Sequence, residues 1–264
     1  MTNAEKQETI VAIIPQTKGS SLVSVEEELK QYAVDASAQE RPIGGSISLR
    51  AGQISWQGNP VPGNRLPCVV LNWVNESRWY TESFNPDKPS QPACYSLGTN
   101  EADMVPHESS PNPQGGKTKT CADCPKNEWG SDPRGGRGKA CSQIRRLALM
   151  PSTAIESDSS IQNSEIAILK LPVTSIRYWG AYVNRLSAVL RRPPFAVVTE
   201  VYTEPHPKHQ FHVHFNPLAN VPNERIEAVK QKREMAVSYL MAPYSTDNAA
   251  ENTPGDAKQQ NLKF

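Results

Sequence analysis

The segment from Phe84 to Lys139 is rich in Pro, Gly, Ser, Asn and Lys and shows no apolar periodicity, yet Cys94, Cys121, Cys124 and Cys141 lie within it or just past its end. A stretch this long without a core of its own is uncommon in a compact domain unless something orders it. Cys121 and Cys124 form a C-x-x-C knuckle, CADC, whose two thiolates can grip one ion from a single turn. Cys94 and Cys141 flank the knuckle at longer range and complete a set of four. Four thiolates on one tetrahedral zinc ion leave no position for water, so the expected site is structural, not catalytic. Prolines and glycines crowd the ligands in PACYS, CADCP and GRGKAC, which suits turns that aim backbone amides at sulfur. Two other readings stay open at this level, a redox pair and unligated thiols. A redox pair normally opens a helix beside a βαβ pattern, and here Pro125 is followed by polar chain. His107 is a further candidate ligand in place of one thiolate, and Cys68, in the apolar run PCVVLNW, reads as a small buried hydrophobe of a strand.

The 23 prolines, concentrated between Pro60 and Pro133 and again between Pro193 and Pro222, argue against a helical bundle and for strands joined by long loops. Strands are expected at Thr9 to Ile14, Ser46 to Leu49, Gln53 to Gln57 and Cys68 to Trp73, with another opening at Trp79 and Tyr80. Beyond the cysteines they are expected at Arg145 to Met150, Glu165 to Leu171, Phe195 to Tyr202 and Phe211 to Phe215. Ser24 to Tyr32 opens with a capping box, Ser175 to Leu190 has apolar residues at helical spacing, and Ile226 to Leu240 reads as a closing helix. The expected fold class is mainly β with helices, α+β, arranged as a partly open β-barrel of the oligonucleotide-binding type with a long zinc-binding insertion. The domain plan is 1–84 for the first part of the barrel, 85–144 for the insertion, 145–244 for the second part and 245–264 for a disordered tail of low apolar content. A generic α+β sheet domain is the competing architecture.

Net charge is +1 for the chain, but the stretch from Lys117 to Arg146 alone carries +5. Its cations are Lys117, Lys119, Lys126, Arg134, Arg137, Lys139, Arg145 and Arg146, opposed by Asp123, Glu128 and Asp132. Concentrated on a compact lobe, such charge attracts a polyanion through phosphate contacts and counterion release. Trp129, in NEWGSD, is placed either to stack on a base or to pack over the zinc knuckle. Trp79 and Tyr80 point to opposite faces of a strand, so one of them is expected to be exposed. A solvated loop, or one whose cations offset the thiolate charge, is the alternative.

Enzyme signatures are thin. There is no Walker loop, no G-x-G-x-x-G on a strand–helix turn and no G-x-S-x-G. His206, His209, His212 and His214 are clustered, and His212 and His214 share one face of a strand, without a carboxylate pattern typical of a nuclease. No stretch approaches the apolar length of a membrane span, and MTNAEKQETI has no basic region followed by an apolar run, so neither insertion nor export is expected.

The elements PACYS, CADCPKNEWGS and GRGKACSQIRRL, in this order, resemble those of a group of zinc-containing proteins encoded by tailed bacteriophages. The strands LPCVVLNW and PPFAVVTEV fit the same pattern, so the likeness spans about residues 45–205. It implies a non-enzymatic, single-stranded DNA-binding protein supporting phage replication or recombination in the cytoplasm of the host cell, with replication proteins as possible further partners. The tail departs from the strongly acidic, partner-recruiting kind, since Lys258 and Lys263 accompany Asp247, Glu251 and Asp256 and only Phe264 echoes it. The second expectation is a zinc-dependent protein–protein adaptor of a replication or transcription complex, and the third a nuclease-like enzyme using the His206–His214 cluster.

Overall fold

A computed structural model of the chain describes residues 45–82, 90–113, 120–133 and 135–244, together with the helical positions Val25, Leu29 and Tyr32. Those three positions agree with the helix expected from Ser24 to Tyr32. The strand expected at Thr9 to Ile14 and the tail 245–264 lie outside the described residues, as do Lys117, Lys119 and Arg134. The chain divides into units Met1–Ile43 and Gly44–Phe264, and all the described strands belong to the second.

The spine of that unit is β4, Arg65–Trp79. Its apolar residues serve both faces: Leu66, Cys68 and Val70 join one core, and Val69, Leu71 and Val74 the other. A strand apolar on both sides is what a sheet covered by helices on both faces requires. A register shift between Val70 and Asn72 marks a β-bulge, where Asn72 Oδ1 accepts the Trp73 amide at 2.9 Å. The bulge explains why the sequence shows an early strand and then a separate aromatic pair. Trp79 closes this one long strand and does not open another.

Around β4 the order is β3 (Asn59–Pro60), β2 (Gln53–Trp56), β1 (Gly45–Arg50), β7 (Ala167–Leu171), β6 (Ser142–Pro151), β4, β8 (Val197–His206) and β9 (Gln210–Asn220). β1 and β7 are parallel, and the other pairs are antiparallel. β5 (Cys94–Gly98) lies inside the segment that showed no periodicity, and it pairs with the last five residues of β4. β4 therefore carries β6 along most of its length on one edge, and β8 then β5 in succession on the other. The result is a curled, half-barrel sheet, mainly β with a few helices.

α1 (Asp158–Asn163) was not visible as a pattern, being short and polar apart from Ile161. α2 (Ile176–Arg185) continues as one π turn to Leu190 and lays Trp179, Tyr182 and Leu186 on the first core. α3 (Ile226–Leu240) lays Ala228, Val229, Ala236 and Leu240 on the second. Trp73 meets Trp179 edge to face at 5.3 Å, so it belongs to the core as its strand position implies. Tyr182 donates to or accepts from Thr199 Oγ1 at 2.6 Å, which satisfies the buried phenol. Burial pushes the Cys68 thiol far up, in line with its reading as an inert core residue. No described helix is long and apolar enough to cross a membrane.

Candidate metal centre and nucleic-acid interface

Strand pairing explains how cysteines far apart in sequence converge. Trp79, the last residue of β4, is opposite Cys94 on β5, and Arg78 is opposite Ser142, which follows Cys141. Cys94 and Cys141 thus flank the end of β4, one on each side. The 121–124 knuckle closes over this end, held by the Cys121 amide on Met104 O at 2.7 Å and the Asn127 amide on Cys124 O at 2.8 Å. Asn127 Nδ2 donates to Cys121 O at 3.0 Å, and the Cys141 amide donates to Lys126 O at 2.8 Å. All four cysteines line one small pocket with Ser77, Trp79, Ser96 and Pro106.

Among the described residues from Thr120 to Cys141 none is buried. Hydrogen bonds and turns are what hold this lobe together: Ser131 Oγ donates to Glu128 O at 2.7 Å and accepts the Ala140 amide at 3.0 Å. Gly130, at φ 85°, reverses the chain after Trp129 in a conformation that only glycine adopts freely, and its amide reaches Gly138 O at 2.9 Å.

Thiols are a donor type that a zinc-class ion takes, although no three of the four sulfurs lie within 4.8 Å of one another. Burial raises the Cys121 thiol, and the neighbouring Cys94 and Cys124 raise it further, while Ser96 opposes them. Burial, then Cys121, Cys94 and Cys124, push Cys141 up to about 12. Cys121 and Cys141 therefore resist ionising, an effect that a cation among the sulfurs would reverse. The Ser96 hydroxyl is buried with no nitrogen or oxygen partner, and the Cys121 sulfur is the group beside it. His107 is engaged elsewhere: it stacks on Tyr95 at 4.8 Å, and its Nδ1 accepts the Ser109 amide at 3.1 Å. Among the described residues, the one group of three whose ligand atoms all lie within 4.8 Å of one another is not in this lobe. It is His206, His209 and His212.

The expected nucleic-acid contacts divide sharply. Trp129 is 78% exposed, with Lys139 Nζ 5.1 Å from its ring centroid, and Arg137 is exposed nearby in sequence. Trp79 is half-buried beside the pocket, with Lys126 Nζ 5.0 Å from its ring. Arg145 is bridged to Glu101 at 2.8 Å and is mostly covered. Arg146 must be removed from the phosphate-contact set. It is buried against the fully buried Glu76 and also donates to Leu240 O at 3.2 Å and Ala242 O at 2.8 Å. Counting charge along the sequence treats every Arg as solvated, and an alternating strand turns every second one inward. Tyr80 likewise turns its hydroxyl inward, where burial raises the phenol above its ordinary value.

No pattern of residues announces the network that holds Arg146. Burial would raise the Glu76 carboxyl, but Arg146, Lys170 and Arg78 together bring it down to about 2. Tyr244 donates to the same carboxylate, and Lys170 Nζ lies 4.4 Å over its ring. Tyr244 also meets Tyr95 edge to face at 4.9 Å, which ties the residue after Cys94 to the end of the described chain. Comparison with known families, curated proteins and solved structures finds no match to this chain.

Proposed function

We propose that the chain binds single-stranded DNA, in support of phage replication or recombination, through a lobe ordered by one structural zinc ion on Cys94, Cys121, Cys124 and Cys141. The observation that carries this reading is Trp129. A large indole 78% exposed costs apolar hydration, and here one cation, Lys139, sits against its ring. The other face is free to stack a base, which every nucleotide offers regardless of sequence. Lys126, Arg137 and Lys139 then meet the phosphates, with Lys117, Lys119 and Arg134 as further contacts proposed from sequence alone. Trp79 extends the stacking surface along the pocket rim. The curled sheet is compatible with an OB-like platform, whose groove would lie at the lobe end because helices cover both faces of the sheet elsewhere.

Fluorescence anisotropy on a labelled single strand tests this. Affinity should fall steeply between about 50 and about 200 mM salt, and Trp129→Ala should weaken binding by about 1–3 kcal/mol at either salt. No binding at the lower salt would sink the reading. The loss of Arg146 and the pairing of Arg145 leave fewer free cations than the sequence promised, and this favours the adaptor as second reading. In that case Trp129 anchors a protein partner, and pull-down from infected cells would survive nuclease treatment.

A further inference from the structure

The β8–β9 hairpin turns through Pro207–His209, with Gln210 at φ 62°. Register pairs His206 with Gln210 and Glu204 with His212. His206 and His212 are therefore diagonal neighbours on one face of the hairpin, with ring centroids 4.2 Å apart. The tight loop folds His209 against both, at 5.0 and 5.5 Å.

We propose that His206, His209 and His212 bind one transition-metal ion of the zinc class, at a site separate from the cysteines. Their ligand nitrogens all lie within 4.8 Å of one another. The donor set is imidazole alone, because Glu204 on the same face is directed at His214, with its Oε2 3.4 Å from Nε2. Imidazole sets suit zinc, copper or nickel and not magnesium or calcium. Tyr178 Oη lies 3.0 Å from His212 Nδ1 and in turn accepts from Arg177 at 2.6 Å. Such a partner on one ring nitrogen orients the ring and leaves the other for a metal. The Lys208 amide makes a weaker contact of the same kind, on His206 Nδ1 at 3.2 Å. Three ligands leave a position open to water, and the trio lines an open cleft of ≈ 520 Å³ with Val173, Thr174 and Arg177. Arg177 and Lys208 border the same cleft, and their charge opposes a dication, so this site binds more weakly than four thiolates.

The two sites are at opposite ends of β4. β8 pairs with Arg65–Val69 and continues past it to His206, whereas Cys94 is opposite Trp79. At about 3.3 Å per residue the strand alone separates its two ends by roughly 45 Å. Each site can therefore be read without the other.

The chain has five histidines, so their ring nitrogens can be followed individually by NMR as zinc is added to the full chain. The rings of His206, His209 and His212 should shift together and saturate at one equivalent, while His107 does not move in that phase. His209→Ala, at an exposed loop position, should weaken this phase about 10-fold or more by calorimetry with zinc. If the thiols take no zinc, the same phase appears with the first equivalent, so failure of the cysteine reading is seen separately. Rings that do not move together, or an unchanged affinity in His209→Ala, would overturn the proposal.

Discussion

Chelating the zinc proposed on Cys94, Cys121, Cys124 and Cys141 should release the lobe from Thr120 to Cys141 and leave the sheet standing. None of the described residues in that span is buried, so no apolar core opposes its chain entropy. A structural zinc supplies about 10–16 kcal/mol in small peptides, far more than the lobe's own hydrogen bonds can. The limit of the change is sharper than the absence of periodicity implies. β5 has five paired residues on β4, and Tyr95 within it is 2% exposed and packed on Tyr244. Hydrogen exchange should therefore show the amides of Cys121, Asn127 and Cys141 losing protection while those of β5 and β6 keep theirs. Cys124→Ser should reproduce the pattern without a chelator. Cooperative loss of the whole sheet would contradict this division.

Glu76→Gln should cost the body of the protein about 3–5 kcal/mol of unfolding free energy, because it leaves the buried Arg146 guanidinium without its counter-charge. Removing both partners, as Glu76→Leu with Arg146→Met, should cost less than the single change, although Arg78 and Lys170 also act on Glu76 and prevent full recovery. The same carboxylate sets an acid limit. Its folded value of about 2 lies below the ordinary 4.5, so the folded state binds this proton less readily than the unfolded chain. The stabilisation is fully present above about pH 4.5 and is lost as pH falls toward about 2; it amounts to about 3 kcal/mol. Urea midpoints at about pH 5 and about pH 2.5 should fall in the wild type and fall less in Glu76→Gln. Equal falls in both would show that other carboxylates set the limit.

The chain's structure was legible wherever its determinants are local. The C-x-x-C knuckle and the apolar spacing of α2 are written within a few residues, and the structure brings all four cysteines to one pocket. What was missed depends on pairing over distance. β5 is short, and its buried Tyr95 and Ser96 are adjacent instead of alternating, so no period-2 signal arises. Asn75, Glu76, Ser77 and Arg78 look like a solvent-facing end to a strand, yet they are buried, because β5 and β6 flank that end of the longest one. Arg146 read as part of a basic surface because its partner is 70 residues away. The alternation of His212 and His214 was visible, but the trio with clustered nitrogens is set by a hairpin turn and a diagonal register.

Single-stranded DNA anisotropy on the zinc-loaded and the chelated chain, at about 50 mM salt, puts the central claim to the most direct test. The account predicts tight binding by the loaded form, loss on chelation and recovery when one equivalent of zinc is returned. Equal binding by the two forms would contradict it, because the surface around Trp129 would then owe nothing to the four cysteines.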